Sequence, residues 1–156
     1  MTSEKNSAVT GAVQRQANRS DICGIQRVRH AVRENRLTSR AISDDEVAHA
    51  IEVSGRGWVV EVDRTIVGFA IGNAQDGNIW ALFIDPAHEG HGHGRRLHDT
   101  MVAWLWSRGL RNLWLSTEPG TRAQRFYSRA GWIDCGSLPS GELHFELHRR
   151  DGVSDG

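Results

Sequence analysis

Ile79-Trp80-Ala81-Leu82-Phe83-Ile84-Asp85-Pro86, continued by Glu89-Gly90-His91-Gly92-His93-Gly94-Arg95-Arg96-Leu97, decides the architecture of this chain. Ile79–Ile84 is a nearly continuous apolar run, as expected of a strand covered on both faces. Pro86 ends it, having no N–H to give to a ladder. Leu97, Met101 and Leu105, with neighbouring Trp104, then mark an amphipathic helix that ends near Gly109. The Gly/His loop therefore lies between a buried strand and a helix start. Such a start presents unpaired backbone N–H groups and roughly half a positive charge, which attracts anions. Alternating glycines let a ligand come close to the backbone. Arg95 and Arg96 oppose the helix dipole by about 0.3–1 kcal/mol each, a penalty that a bound phosphate reverses. Two readings follow: a phosphate cradle, or a flexible glycine turn with two solvated arginines.

Known phosphate motifs narrow the first reading. The pattern Gly-x-x-x-x-Gly-Lys-Ser/Thr is absent, which disfavours a nucleotide-hydrolysing P-loop. The dinucleotide fingerprint fails as well. Starting from Gly92 it needs Gly or Ala where Leu97 stands, and starting from Gly90 it meets Arg95. Two helices and a hairpin also precede the strand, which is not how a Rossmann unit begins.

Outward from this segment the periodicity is legible. Val13–Ala17 reads as a short first strand. Ser20 is placed to cap a helix carrying Ile22, Ile25, Val28 and Val32 on one stripe. Ser43 and Glu46 have capping-box spacing ahead of Val47, Ala50 and Ile51. Trp58–Val62 and Ile66–Ile71, joined at Asp63-Arg64, read as a hairpin. Beyond Gly109, Leu113–Leu115 is a short buried strand. Ala123, Phe126, Tyr127 and Ala130 define a helix stopped by Gly131. Leu143, Phe145 and Leu147 alternate with polar residues, as in a half-exposed last strand, which is expected at a sheet edge and hence at a pairing site. The order is β-α-α-β-β-β-α-β-α-β-β. It predicts a mixed α/β fold, with helices on both faces of a sheet and one β-loop-α-β unit between Ile79 and Leu115.

The 156 residues suit one core, expected over 13–150 behind a disordered polar tail at 1–12. Formal net charge is zero and basic residues are scattered, so nothing points to nucleic acid. No apolar run approaches the roughly 18 residues of a membrane span. Cys23 and Cys135 have no metal or redox spacing. Free thiols and the lack of an apolar signal core in Met1–Thr10 lead us to expect a cytoplasmic protein.

Leu82 to Pro86, Glu89 to Gly94 and Leu97 together resemble the acetyl-CoA motif of the GNAT superfamily: an apolar strand, a proline, then Arg/Gln-x-x-Gly-x-Gly/Ala entering a helix. Gly120-Thr121-Arg122-Ala123-Gln124-Arg125-Phe126-Tyr127-Ser128-Arg129-Ala130-Gly131-Trp132 resembles the family's second motif, Asn-x-x-Ala-x-x-Phe-Tyr-x-x-x-Gly-Phe. Order and spacing agree. The resemblance implies a three-layer fold with a central mixed, mostly antiparallel sheet, and N-acetyl transfer from acetyl-CoA to an amine, with no metal required. It places coenzyme contacts at Leu82, Phe83, Ile84, Glu89, Gly90, His91, Gly92, His93, Gly94, Arg95, Arg96, Thr121 and Phe126. Two positions depart from the pattern. Glu89 replaces Arg/Gln and is expected to offer only its backbone, with Arg95 or Arg96 supplying charge. Thr121 replaces Asn as a shorter polar contact.

Amide formation from a thioester requires alignment of the amine, polarisation of the carbonyl and protonation of the leaving sulfur. By resemblance, the backbone of Phe83 and Ile84 holds the pantetheine and the developing oxyanion, and Tyr127 is the general acid. Its phenol, with pKa near 10, is protonated at neutral pH. The competing role for Tyr127 is packing on the stripe with Ala123 and Ala130. His30, Glu34, Glu61, Asp85, Glu118 and His144 are candidate bases. His88, His91 and His93 with Glu89 make a poor metal site, because nothing nearby orients the rings. Trp80 and Trp114 are expected in the core, and Trp58 is the tryptophan free to face an acceptor. The alternatives to an enzyme are a coenzyme-A-binding sensor on the same fold and a purely structural domain. Family habit suggests a homodimer. The acceptor pocket is expected from the first two helices, their connection Asn35–Arg40 and the last strands. The arginines of that connection favour an acidic acceptor, unless they are solvated.

Overall fold

The computed structural model describes residues 11–32 and 41–150. Of the tail expected over 1–12 only Gly11 and Ala12 are described, and Ala12 already pairs with Val62. The Asn35–Arg40 connection and Glu34 lie outside the described residues. The elements are β1 (Ala12–Gln16), α1 (Ile22–Ala31), α2 (Asp44–Glu52), β2 (Gly55–Val62), β3 (Thr65–Asn73), β4 (Ile79–Ile84), α3 (His93–Ser107), β5 (Asn112–Thr117), α4 (Arg122–Arg129), β6 (Ile133–Ser137) and β7 (Leu143–His148). Their order is the one the periodicity predicts, and the architecture is the expected mixed fold.

Local signals explain most boundaries. Ser43 Oγ accepts from the Glu46 N–H, while the Glu46 carboxylate accepts from the Ser43 N–H, so α2 opens with the capping box its spacing predicts. The entry to α1 differs from expectation. Asn18, not Ser20, is the cap: its Oδ1 accepts from the Ser20 N–H, and Asp21 Oδ2 accepts from the Asn18 N–H. A 3₁₀ turn, Arg19–Asp21, satisfies these donors before the α-helix begins. Asp21 is also gripped by Arg15, which reaches Glu61 at 2.6 Å and ties β1 and β2 to the start of α1. The β2–β3 hairpin turns at Asp63 and Arg64, both at positive φ (51° and 66°).

Hydrogen bonding divides the strands into β1-β2-β3-β4 and β5-β7-β6, antiparallel throughout. One parallel bridge, Asn78 to Trp114, joins the two groups at the start of β4. β7 is therefore the middle strand of its group, not the edge expected from its alternation. Its polar positions pair sideways with β5 and β6 while only its side chains meet solvent. The edge is β6, all five of whose residues are exposed.

Two cores flank the sheet. On one face Leu97, Met101 and Leu105 of α3 are fully buried against β2–β5, with Trp58, Tyr127 and Trp132. On the other, Ile25 and Val28 of α1 and Val47 and Ile51 of α2 cover Val59, Phe69 and Ile71. Truncating any of these large side chains to alanine costs about 2–5 kcal/mol. Val32, assigned by periodicity to the α1 stripe, is the extended residue after the helix.

β4 corrects another expectation. Only Ile79 and Ala81 are buried, and Trp80, Leu82, Phe83 and Ile84 are partly open. The chain there is apolar because it walls a cleft, since among the described residues no strand continues the sheet beyond the Asn78 bridge.

Candidate active site

The geometry of β4 fixes which backbone groups the cleft receives. The Asp85 N–H donates to Val67 O at 2.8 Å, and Phe83 lies opposite Phe69. In an antiparallel ladder hydrogen-bonded pairs alternate, so Phe83 pairs with β3 while the N–H and C=O of Leu82 and Ile84 point to the opposite edge. That edge is the open one. The main chain of Phe83, expected to act with that of Ile84, is thus engaged in the ladder, the outward main-chain groups are those of Leu82 and Ile84, and Phe83 meets the cleft with its side chain. An extra residue at Trp80, opposite Gly72, bulges the strand.

Beyond β4 the chain turns at Pro86–His88, capped by Asp85 Oδ1 accepting from the Ala87 N–H, and enters α3 through Gly90 and Gly92. Both glycines have positive φ (84° and 82°), and a Cβ on either would meet no atom within 4 Å. Gly92 is the N-cap of α3 and supplies no side chain to its first turn. No acceptor among the described residues takes the N–H groups of His93, Gly94 or Arg95. Gly94 lies against Ile84 and Phe126. A cavity of about 930 Å³ extends from this turn along β4 to α4. A second, of about 290 Å³, lies between β4 and β5 beneath α1 and α2. Leu82, Phe83, Ala123 and Tyr127 line both.

Residues 21–132, most of the chain, match the Acetyltransferase (GNAT) family. The chain belongs to the GNAT acetyltransferase family. No curated protein sequence matches it. Solved structures share its fold at low identity. Ard1 from Thermoplasma volcanium has a TM-score of 0.75 at 17% identity, over 90% of this chain and 99% of that one. YncA, a putative acetyltransferase from Salmonella typhimurium with its cofactor acetyl-CoA, has 0.75 at 18%, over 94% and 98%. PaiA N-acetyltransferase from Thermoplasma acidophilum, in complex with coenzyme A, has 0.74 at 13%, over 88% and 98%.

In this acetyltransferase the large cavity gathers Leu82, Phe83, Ile84, Glu89, Gly90, Gly92, His93, Gly94, Arg95 and Phe126. Arg96 and His91 do not border it. Arg96 points to solvent on the next position of the turn, and His91 Nδ1 turns back to His88 O at 3.2 Å. Thr121 does not border it either, because its hydroxyl caps α4: Oγ1 accepts from the Gln124 N–H and donates to Glu118 O. Glu89 does more than lend its backbone. Its carboxylate holds Arg122 at 3.0 Å, joining the glycine turn to the first residue of α4. Arg122, Arg125 and Arg129 all reach the cavity wall. Their i, i+3, i+7 spacing was the overlooked signal of a basic helix face. Arg95 also borders the cavity and pairs with Asp99 at 3.0 Å. Among the described residues no group of three His, Cys, Asp or Glu is arranged to hold a metal.

Several candidate bases are engaged elsewhere. Glu61 holds Arg15, Asp85 caps its turn, and His144 contacts Glu146 at 2.9 Å. None of these, nor His30 or Glu118, borders either cavity. The tryptophans exchange roles. Trp58 packs edge-on against Trp104 in the core, whereas Trp80, freed by the bulge, lines the smaller cavity. Trp114 is partly open and stacks on His144.

Tyr127 is 7% exposed, and its hydroxyl has no hydrogen-bond partner among the described residues. Burial holds its phenol above the ordinary value of 10.0, so it is protonated at neutral pH. Its ring is fixed by Phe126 and Trp132 at centroid distances of 5.2 and 5.5 Å. Trp132 is held in turn: its indole N–H donates to His98 Nε2 at 2.9 Å, which leaves His98 Nδ1 to donate to Asp99. Sequence reasoning missed His98, although it shares the i, i+4, i+7 stripe with Val102 and Leu105.

Desolvation keeps His98 neutral, lowering its pKa below 6.5, and His93 is shifted the same way. A group with a depressed folded pKa adds stability above its unfolded value, and that stability is lost as protons bind the unfolded chain more readily. Melting temperature should therefore fall as pH drops from about 7 towards 5. Asp21, whose carboxyl is held below 3.8, acts only in stronger acid. His98→Gln should be less stable at pH 7.5 but have a shallower slope between pH 7 and 5. An unchanged slope would assign the effect to other groups.

Proposed function

We infer that this acetyltransferase moves an acetyl group from acetyl-CoA to a primary amine by direct attack of the amine on the thioester. The observation that carries this reading is the meeting of two cavities at Leu82, Phe83 and Tyr127. When bound, acetyl-CoA supplies an acetyl group already activated as a thioester. Gly90 and Gly92 offer open backbone to its diphosphate, and the first-turn N–H groups of α3 point the helix dipole at that charge. Arg95 and the arginines of α4 add positive charge at the same wall. The outward N–H and C=O groups of Leu82 and Ile84 can pair with an extended amide chain as a neighbouring strand would. An N–H of this edge also stabilises negative charge on the thioester oxygen. Tyr127 donates a proton to the leaving sulfur as the C–S bond breaks, and the proton that the attacking neutral amine gives up on forming the amide passes to water, from which the phenol is reprotonated.

A test uses the full chain, acetyl-CoA and a pool of primary amines, with thiol release and product mass as readouts. Amine-dependent thiol release is expected. Tight coenzyme A binding without transfer to any amine would make the protein a coenzyme-binding module. Because the cavity wall is exposed and cationic, coenzyme affinity should also fall as salt is raised from 0.05 to 0.5 M. An affinity indifferent to salt would remove the arginines from recognition.

A further inference from the structure

Between Pro86 and Arg96 only His93 is buried, at 7% exposure. It opens α3 at the head of the buried stripe Leu97, Met101 and Leu105, a position suited to an apolar side chain. The ring is not a satisfied core histidine. Its Nδ1 is buried and has no hydrogen-bond partner among the described residues, and a buried polar atom costs free energy as long as it stays unpaired. His98, on the same helix, shows the contrast, with its two ring nitrogens engaged by Trp132 and Asp99. His93 also borders the larger cavity, between Gly92 and Gly94. Its unused bonding capacity therefore lies at the same turn as the unaccepted N–H groups that open α3.

The charges around the ring say which ligand it suits. His88 and His91 share its turn, with the His91 ring 5.8 Å away, and Arg96 follows in the helix. Arg95 borders the same cavity, as do Arg122, Arg125 and Arg129 from α4. Glu89, on the turn, is held by Arg122. Tyr127 of α4 is uncharged at neutral pH, and the β4 side of the wall is apolar. Burial first, and then Arg96, His91 and His88, hold the pKa of the free ring below 6.5. A diphosphate in this turn opposes that repulsion. It favours the imidazolium and accepts an N–H for which the described protein groups offer no acceptor. A neutral ligand would not stabilise the charge.

We propose that His93 is a proton-linked ligand of the coenzyme's diphosphate. The ring is neutral in the free protein, takes a proton from solvent as the diphosphate enters, and donates an N–H to a phosphate oxygen. This rests on the acetyl-CoA reading and adds a regulation to it. A group whose pKa is higher in the complex than in the free protein makes binding tighter as pH falls. Loading with coenzyme therefore strengthens on mild acidification. His93 is a binding residue and takes no part in the acetyl transfer itself.

The test is calorimetry on the full chain with dephospho-coenzyme A. This ligand keeps the diphosphate but lacks the 3′-phosphate, a monoester with a pKa of about 6 of its own. At about pH 6.5, in two buffers of different ionisation enthalpy, the wild type should take up about half a proton or more per ligand bound. Its dissociation constant should fall about 10-fold from about pH 7.5 to 5.5, the scale of one charged hydrogen bond. His93→Gln, which cannot titrate, should bind with no net uptake and a flat pH profile. His88→Asn and His91→Asn should keep most of both effects. If coenzyme A binds and the dephospho form does not, the difference in uptake between wild type and His93→Gln on coenzyme A decides, because the ligand's own proton cancels. His93→Leu continues the apolar stripe and should melt no lower than wild type at about pH 7.5. A marked loss of stability there would mean that the ring already has its partners in the free protein, and overturns the proposal. Uptake that survives in His93→Gln, or a wild type that binds with no uptake, also overturns it and leaves acetyl transfer standing. Failure of the wild type to bind coenzyme A at any pH overturns both readings.

Discussion

Tyr127→Phe should lower turnover by roughly 10²–10⁴-fold, the usual range for general acid–base help, with little change in the Michaelis constant for acetyl-CoA. The substitution removes one oxygen and keeps the ring that packs against Phe126, His98 and Trp132. The hydroxyl has no protein partner among the described residues, so its loss strands no buried donor and should shift melting little. The loss in turnover is held down, because a thiol of pKa near 8.5 is already a fair leaving group at neutral pH. A packing role gives the opposite pattern: a stability loss on Tyr127→Ala, with near-normal turnover in Tyr127→Phe. Steady-state kinetics beside a melting curve separates the two. Turnover within about threefold of wild type would take Tyr127 out of the mechanism.

The second large effect is on coenzyme affinity. Gly92 sits at φ 82° as the N-cap of α3, and a Cβ there would project into open space. Aspartate is among the side chains that tolerate this backbone region, at a cost of about 1–2 kcal/mol, so Gly92→Asp should still fold. On the proposed reading, it would place a carboxylate where the helix dipole and arginines meet the coenzyme's diphosphate. The dissociation constant for coenzyme A should rise at least about 100-fold, corresponding to the several kcal/mol of a like-charge juxtaposition. Gly92→Asn has the same shape without the charge and should lose far less. Calorimetry on both folded variants decides between charge and sterics. Unchanged affinity in Gly92→Asp would place the diphosphate elsewhere.

Sequence alone determined what depends on neighbours a few residues apart. Period-2 and period-3.6 runs gave the order of strands and helices, and Ser43 with Glu46 announced the start of α2 because a capping box closes within one turn. The two glycine-containing motifs named the family for the same reason, since each is a contiguous backbone shape with fixed spacing. Even locally the reading had a limit at α1, where Asn18 and Asp21 outcompeted Ser20 by capping reciprocally.

Tertiary structure decided whatever depends on distant segments. Alternation in Leu143–His148 shows that one face is wet, but it cannot say whether the strand has one neighbour or two, and β7 proved central. The apolar run of β4 looks the same whether it is covered or walls a cleft, and only its separation from β5 past Asn78 distinguishes these. Thr121 and Arg96 fit a motif by position, yet a cap and a helical rotation turn them from the cavity, while Glu89 and Arg122 are joined across it. Arg29 and Glu142 share a wall although more than a hundred residues separate them in the chain. Such pairings arise from the packing of the strand groups and helices around two cores, and no short-range pattern encodes them.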